Sequence, residues 1–182
     1  MKDGGRERKR ITKSERLPAI PDELVFTKNK SSDNARPLGE VAISLTTHVW
    51  IDKHYHDRHN FGDDSGKREG IGPEMVEALV KKSIPHLLFY STAVKGFHFI
   101  NQNEMSESPA RIVLMEGYGA DKLNVVIQAH FTAINKFELT VKTALRTEEF
   151  RLYQGQYAVE LQGDTSVLLR KDNKSVVEVS NL

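Results

Sequence analysis

The sequence contains no cysteine, which excludes a disulfide-stabilised scaffold, a thiolate metal site and a cysteine nucleophile. It also lacks any run of about 18 apolar residues, the length that a membrane-spanning helix needs. No apolar stretch follows the charged N-terminal residues, so we expect no secretory signal peptide. These absences predict a soluble cytoplasmic protein without a membrane partner, and leave open delivery as a toxin without a signal peptide.

The chain also lacks a large excess of either charge, because its net charge is only +1. Residues 1–16 carry seven basic and three acidic side chains, so the remaining chain is mildly acidic. A strongly basic body, which would favour non-specific nucleic-acid binding, is therefore excluded, and any such function needs a local site. We predict a basic, mostly irregular tail over residues 1–38 and a single α+β domain over residues 39–182.

Two helices are predicted near the start of that domain. The first runs from a Ser- and Thr-rich start at residues 44–47, which can cap its first turn, to about His59. A loop rich in Gly and Asp follows at residues 60–72. The second helix begins at Pro73, carries apolar residues at helical spacing, and is expected to end at Pro85.

After the second helix the apolar period changes to two, which is typical of strands. Early strands are predicted over residues 86–94, 96–100 and 110–115. The clearest pair is 123–131 with 137–145, antiparallel, joined by a three-residue connection at 134–136 that matches the two apolar faces. Helices followed by strands predict an α+β fold, with both N-terminal helices on one face of a twisted antiparallel sheet.

The segment "HYHDRH", residues 54–59, concentrates imidazoles that could bind a metal or move protons. It is close to the His-x-His-x-Asp-His signature of the metallo-β-lactamase superfamily, but Asp57 and Arg58 stand in swapped order. On a helix, ligands need spacings of three or four residues, whereas His54 and His56 would point about 200° apart. We therefore predict no metal ion and no cofactor.

A helical wheel places His48, Asp52, His56 and His59 on one stripe that borders the apolar side of the first helix. At such a border a side chain is partly desolvated, which suits proton transfer. The alternative is a solvated polar face, and the sequence leaves both open.

The strand 137–146 adds polar groups that could complete a site. Lys142 and Arg146 are predicted to share a face with His130 and Gln128, with Gln128 opposite Lys142. Thr143 has the opposite parity, so its hydroxyl is predicted to point toward the helices.

In order along the chain, "TTH" at 46–48, Arg58 with His59, "GIG" at 70–72 and "TA" at 143–144 resemble a nuclease superfamily. It is the Barnase–EndoU–colicin–RelE group, particularly its RelE-like and RegB-like endoribonucleases and related phage and toxin domains. The resemblance spans roughly residues 40–150 and implies a RelE-like fold. This chain departs from the pattern at Asp52, where an Arg is expected.

The resemblance implies metal-independent cleavage of single-stranded RNA, in which the 2′-hydroxyl attacks the phosphorus and leaves a 2′,3′-cyclic phosphate. Catalytic roles would fall to His48 as base or base-orienting group, His56 or His59 as acid, and Thr143 as a positioning hydroxyl. Substrate-binding roles would fall to Arg58, Lys142, Arg146 and His130.

The alternative function is a non-catalytic α+β module that binds a protein partner or inhibitor, such as a phage accessory protein or a partner in a toxin system. The mildly acidic body and the scarcity of aromatic residues (8%) favour it. In that case the histidines would be incidental, since a fold does not fix a function.

Overall fold

The computed structural model describes residues 26–42, 46–61, 70–102 and 109–182. Within these ranges the chain forms a nine-stranded sheet and two helices. The strands are β1 (Ala35–Ala42), β2 (Thr46–Asp52), β3 (Ile100–Asn101), β4 (Ile112–Tyr118), β5 (Asp121–Ala133), β6 (Lys136–Arg146), β7 (Tyr157–Gln162), β8 (Thr165–Asp172) and β9 (Ser175–Asn181). The helices are α1 (Lys53–Phe61) and α2 (Pro73–Ala93).

The sheet has the strand order β1-β2-β6-β5-β4-β7-β8-β9, with β3 also paired to β5. Three pairs, β2–β6, β3–β5 and β4–β7, are parallel, and the others are antiparallel. The prediction of a RelE-like antiparallel sheet covered by two N-terminal helices is therefore wrong. Two strands precede the helices, and the first of the predicted helices is largely a strand.

Residues 46–52 form β2 instead of the predicted helix. Thr47, Val49 and Ile51 are buried and alternate with less buried side chains, which is the period of a strand that lies against a core on one face. Val and Ile also favour strands because their branched side chains pack well on a pleated surface. The predicted stripe of His48, Asp52, His56 and His59 on one helix consequently does not exist.

The second helix does not end at Pro85 but continues to Ala93. Its buried positions, including Leu79, Ile84 and Leu87, keep the helical spacing through the proline. Pro85 lies on the exposed side of the helix, as does Lys81, whose carbonyl loses its helical donor there. The carbonyl of Lys81 therefore faces water, which can replace the lost hydrogen bond. Burial of the opposite side of the helix keeps residues 86–93 helical, and the predicted strand over residues 86–94 is wrong.

Helix α2 packs on one face of the sheet, which we call the inner face. This face carries the main core, including Val49, Ile127, Leu139 and Val141, and Tyr55 of α1 joins the same cluster. We call the opposite side the outer face; it carries His48, Trp50, Gln128, His130, Glu138 and Thr140. No helix within the described ranges is long and apolar enough to cross a membrane.

The predicted antiparallel pairing of residues 123–131 with 137–145 is confirmed by the β5–β6 hairpin. The connection differs from the predicted three residues, because Ala133 pairs with Lys136 across a two-residue turn. The register shifts between Phe131 and Ala133, which leaves Thr132 as an extra residue. This irregularity restores the match of the two apolar faces.

A second irregularity lies at Lys142, between the pairs Val126–Thr143 and Ile127–Val141. The extra residue reverses the alternation of β6 beyond it. Thr143 consequently shares the outer face with Val126, and the prediction that its hydroxyl points toward the helices is wrong. Gln128 pairs with Thr140, not with Lys142 as predicted. Arg146 pairs with Leu123 of the inner face, so the prediction that it shares a face with His130 and Gln128 is also wrong.

The helical assignment of residues 86–93 makes a prediction that distinguishes it from a strand. Leu87 is fully buried, whereas Phe89 is 37% exposed. Leu87→Ala should lower the free energy of unfolding by about 2–5 kcal/mol because it leaves a cavity, and Phe89→Ala should cost about 1 kcal/mol. Urea denaturation would measure both. In a strand the two side chains would share a face, so equal large losses would contradict the helix.

Candidate functional site

An open groove of about 1160 Å³ lies between the outer face and the segment 147–156. Val126, Thr143 and Leu145 form part of its floor. Phe150 and Leu152 of the covering segment pack on a small apolar cluster around Val113, Met115, Val126 and Ala158. The segment is therefore fixed to the sheet, and the groove beside it is a constant feature of the fold.

Basic side chains predominate in the lining of this groove. Arg111, Lys142, Arg146 and Arg151 line it, against two acidic residues, Asp52 and Glu149. The Arg111 side chain is oriented by its Nε, which donates to Gln128 Oε1 at 3.3 Å. Such a lining attracts anions, and the planar guanidinium groups suit phosphate oxygens.

Aromatic side chains stand among these cations. Phe150, Tyr153 and Tyr157 line the groove; Tyr153 is 80% exposed, whereas Phe150 packs on the small apolar cluster and the Tyr157 ring packs on Phe97 of the main core. The guanidinium of Arg146 is directed away from the outer face: it lies 4.4 Å from the ring centre of Tyr118, and its Nη2 donates to Met75 Sδ of α2 at 3.5 Å. The exposed ring of Tyr153 offers a flat surface on which a planar group of a ligand can stack.

Lys142 and Asp52 form an ion pair at one end of the groove. Lys142 Nζ lies 2.6 Å from Asp52 Oδ2 and also donates to the carbonyl of Ser31. Burial acts most strongly on the carboxyl and would raise its pKa. The hydrogen bonds from Lys142, Ser32 and the His54 backbone, together with the Lys142 charge, outweigh burial and lower the pKa of Asp52 below the usual 3.8. Lys142 is thus largely neutralised within the protein.

The segment before β1 crosses the outer face next to the groove. Asn29 Nδ2 donates to Thr140 Oγ1 at 2.7 Å, and the backbone N–H of Lys30 donates to Glu138 Oε1 at 2.6 Å. Residues 1–25 of the predicted irregular tail lie outside the described residues. From Phe26 onward, the structure shows the segment bonded to the sheet.

Of the residues predicted to form a site, Lys142, Thr143 and Arg146 line the groove. His48 lies on the outer face at the position that pairs with Glu138, away from the groove lining. His130 is 1% exposed, and its Nε2 lies 2.9 Å from Gln128 Nε2. Both of these histidines therefore lie outside the surface that a ligand in the groove would touch.

The remaining predicted residues belong to α1. The ring of His56 packs edge-on against Phe26 with the centroids 5.0 Å apart. The side chains of Arg58 and His59 lie outside the described residues. Among the side chains that the structure does describe, no group of three His, Asp or Glu is placed to hold a metal ion.

Sequence reasoning missed several groove residues: Arg111, Arg151, His54, His98, Phe150 and Tyr153. One signal was available, since "TEEFRLYQGQY" at residues 147–157 combines charged and aromatic residues between two strands. Such a composition is typical of binding loops held by a rigid sheet.

A second constellation, Ser166 with His86, has the residue types of a nucleophile and its base. Ser166 Oγ lies 2.9 Å from His86 Nδ1, and the Tyr90 hydroxyl lies 2.8 Å from the same serine oxygen. Ser166 is only 1% exposed, so no substrate reaches it. Burial lowers the pKa of His86, although Asp164 acts in the opposite direction. These contacts fasten α2 to β8.

The Asp52–Lys142 pair predicts a pH-dependent stability. Lys142→Met should lower the free energy of unfolding by about 1–3 kcal/mol at neutral pH, the usual value of a hydrogen bond to a charged group. Because the folded state depresses the pKa of Asp52, the contribution is complete above the unfolded pKa of about 3.9 and is lost as the pH falls through the folded value. Urea denaturation near neutrality and at about pH 3 would measure this.

The matched control is Lys82→Met, which breaks the more exposed pair with Glu116. It should cost less than about 1 kcal/mol at either pH. Equal losses in the two variants, or a Lys142→Met loss that persists unchanged in acid, would contradict the account of this pair.

Comparison with known proteins does not assign the site. No protein-family model, no characterised protein and no solved structure gives a significant match to this chain. Function therefore has to be argued from the groove itself.

Proposed function

We propose that the protein binds single-stranded RNA in the groove. The observation that carries this proposal is the convergence of Arg111 and Arg151 with the exposed ring of Tyr153 in one open groove. Single-stranded nucleic acid is held by the same combination, in which cations follow the backbone and aromatic rings stack on the bases.

The phosphates would be held mainly by the arginines. Lys142 and Asp52 neutralise each other, and Arg146 is turned toward Met75 of α2, which leaves the guanidinium groups of Arg111 and Arg151 against Glu149. A guanidinium can donate two parallel hydrogen bonds to one phosphate. This local excess of positive charge reconciles nucleic-acid binding with a body that is mildly acidic as a whole.

The bases would stack on the aromatic side chains, above all on Tyr153. A stacked base contributes about 1–3 kcal/mol, without strong sequence preference. Bases inside a duplex already stack on each other, so this mode favours a single strand. Thr143, Thr147 and Gln154 line the same groove and offer hydrogen-bonding groups to a 2′-hydroxyl, which favours RNA over DNA.

The binding proposal predicts the behaviour of two groove variants. Tyr153→Ala should weaken binding of a short single-stranded RNA by about 5–100-fold. Arg151→Ala should also weaken it and reduce the dependence of log K on log salt by about one unit. Fluorescence anisotropy over a salt series would measure both effects, with single-stranded DNA of the same sequence expected to bind more weakly.

Lys81→Ala is the matched control, because Lys81 is an exposed cation on α2, which packs on the opposite face of the sheet. It removes the same charge and should leave the affinity nearly unchanged. The proposal fails if Tyr153→Ala and Arg151→Ala both bind RNA as tightly as the Lys81→Ala control. It also fails if the folded wild type does not bind RNA at low salt.

Cleavage of the bound RNA is the second candidate function, and one observation favours it. His54 lines the groove beside the Asp52–Lys142 pair, and its backbone N–H is fixed by Asp52 Oδ1 at 2.9 Å. An imidazole there could accept the proton of a 2′-hydroxyl as its oxygen bonds to phosphorus and the bond to the 5′-oxygen breaks. Water in the open groove would protonate the departing 5′-oxygen, so the products would be a 2′,3′-cyclic phosphate and a 5′-hydroxyl. His54 replaces His48 as the candidate base because His54 reaches the groove.

If the protein cleaves RNA, it should do so in EDTA and leave the matching DNA intact, since DNA lacks the attacking hydroxyl. His54→Ala should then lower the rate by about 10²–10⁴-fold, the usual contribution of a general acid or base. Gel analysis of labelled RNA would measure this. A comparable loss in His48→Ala with an active His54→Ala would restore the assignment from sequence. RNA that is bound but stays intact would contradict cleavage and leave a non-catalytic RNA-binding protein.

A further inference from the structure

The two edges of the sheet differ in how they are protected from pairing with another strand. β1 contains Pro37 and Gly39, its register shifts between them, and Thr27 bridges to its first residue. Prolines and irregular edges are common devices against unwanted pairing. β9 contains neither proline nor glycine, and within the described residues no strand pairs with its outward edge.

β9 also exposes apolar side chains. Val176, Val177 and Val179 are 47%, 40% and 39% exposed, and residues 172–179 form one continuous exposed run. The first half of β9, through Glu178, pairs regularly with β8, and the irregularity of the pair lies beyond it at Val179. A regular, valine-rich edge of this kind is a template for a further strand.

We propose that β9 pairs in antiparallel fashion with β9 of a second copy of this chain, with Val176 opposite the partner's Val176. In this register Lys174, in the turn that precedes β9, lies opposite the partner's Glu178, and Glu178 lies opposite the partner's Lys174. Side chains directly opposite each other in an antiparallel pair interact, and opposite charges there are favourable. The edge is therefore complementary to itself in charge.

Neighbouring registers lack this complementarity. A shift that places Val177 opposite the partner's Val177 also places Val176 of each copy opposite the other copy's Glu178, so an apolar side chain faces a charge. A shift that centres on Glu178 sets two glutamates against each other, which is destabilising. Charge thus selects the register centred on Val176.

The symmetry of such a dimer has a consequence for the groove. Two antiparallel strands that continue one sheet are related by a twofold axis perpendicular to that sheet, so the outer faces of both copies lie on the same side. Both grooves would open in the same direction. The interface involves little more than one strand from each copy, so the dimer should be weak and concentration-dependent.

The test uses two charge reversals and their mixture. Sedimentation velocity of the full chain should show a monomer–dimer equilibrium. Lys174→Glu alone and Glu178→Lys alone should each weaken it about tenfold or more, because each variant places like charges opposite each other twice. An equimolar mixture should form a heterodimer about as well as the wild type, since all facing charges are then opposite. Recovery in the mixture also excludes misfolding of the variants.

Asp121→Lys is the control, since it makes the same charge change as Glu178→Lys at the exposed first residue of β5; it should leave dimerisation unchanged. The proposal is overturned by a chain that stays monomeric at the highest attainable concentration. It is equally overturned if dimers of either single variant match the wild type, or if the mixture of the two does not recover dimerisation.

Discussion

The extra residue at Lys142 in β6 is the constraint on which the groove depends. Up to Val141 the strand presents its apolar side chains to α2, and beyond Lys142 the alternation reverses, so that Thr143 and Leu145 turn outward. Without the irregularity these two side chains would point into the helical layer. Lys142 itself is held by Asp52 of the parallel neighbour β2 and by the Ser31 carbonyl. One local break in the ladder thus connects the core, the floor of the groove and the ion pair at its end.

The parts of the fold that could be predicted from sequence are those whose signal is local. The β5–β6 pair alternates over many residues, and α2 begins at a glycine–proline start, so both were found. The end of α2 was not, because Pro85 is a strong local stop signal that burial of the opposite helix side overrides. Capping residues and histidines predict a helix where β2 lies, and the alternation of Val49 and Ile51 is too short a signal to oppose them. The parallel β2–β6 pairing brings together residues about 90 positions apart, which no local pattern reports.

The candidate site shows the same limit. Lys142, Thr143 and Arg146 were predicted because they lie together on one strand, and they do line the groove. Arg111, Arg151 and Tyr153 come from other segments and join them only in the folded chain. The histidine cluster that dominates the sequence contributes only His54 to the groove lining among its described side chains. A cluster of reactive residues in the sequence therefore predicted the site less well than the pairing of strands that are distant in sequence.

The account rests on RNA lying in the groove between the outer face and residues 147–156, and photo-crosslinking tests this most directly. A single-stranded RNA containing 4-thiouridine would be irradiated with the full-length protein, and the modified peptides identified by mass spectrometry. The account predicts crosslinks on the segment with Phe150 and Tyr153, lost when excess unlabelled RNA is added. Crosslinks confined to α2 or to the N-terminal residues 1–16, with none on the segment 147–156, would contradict it.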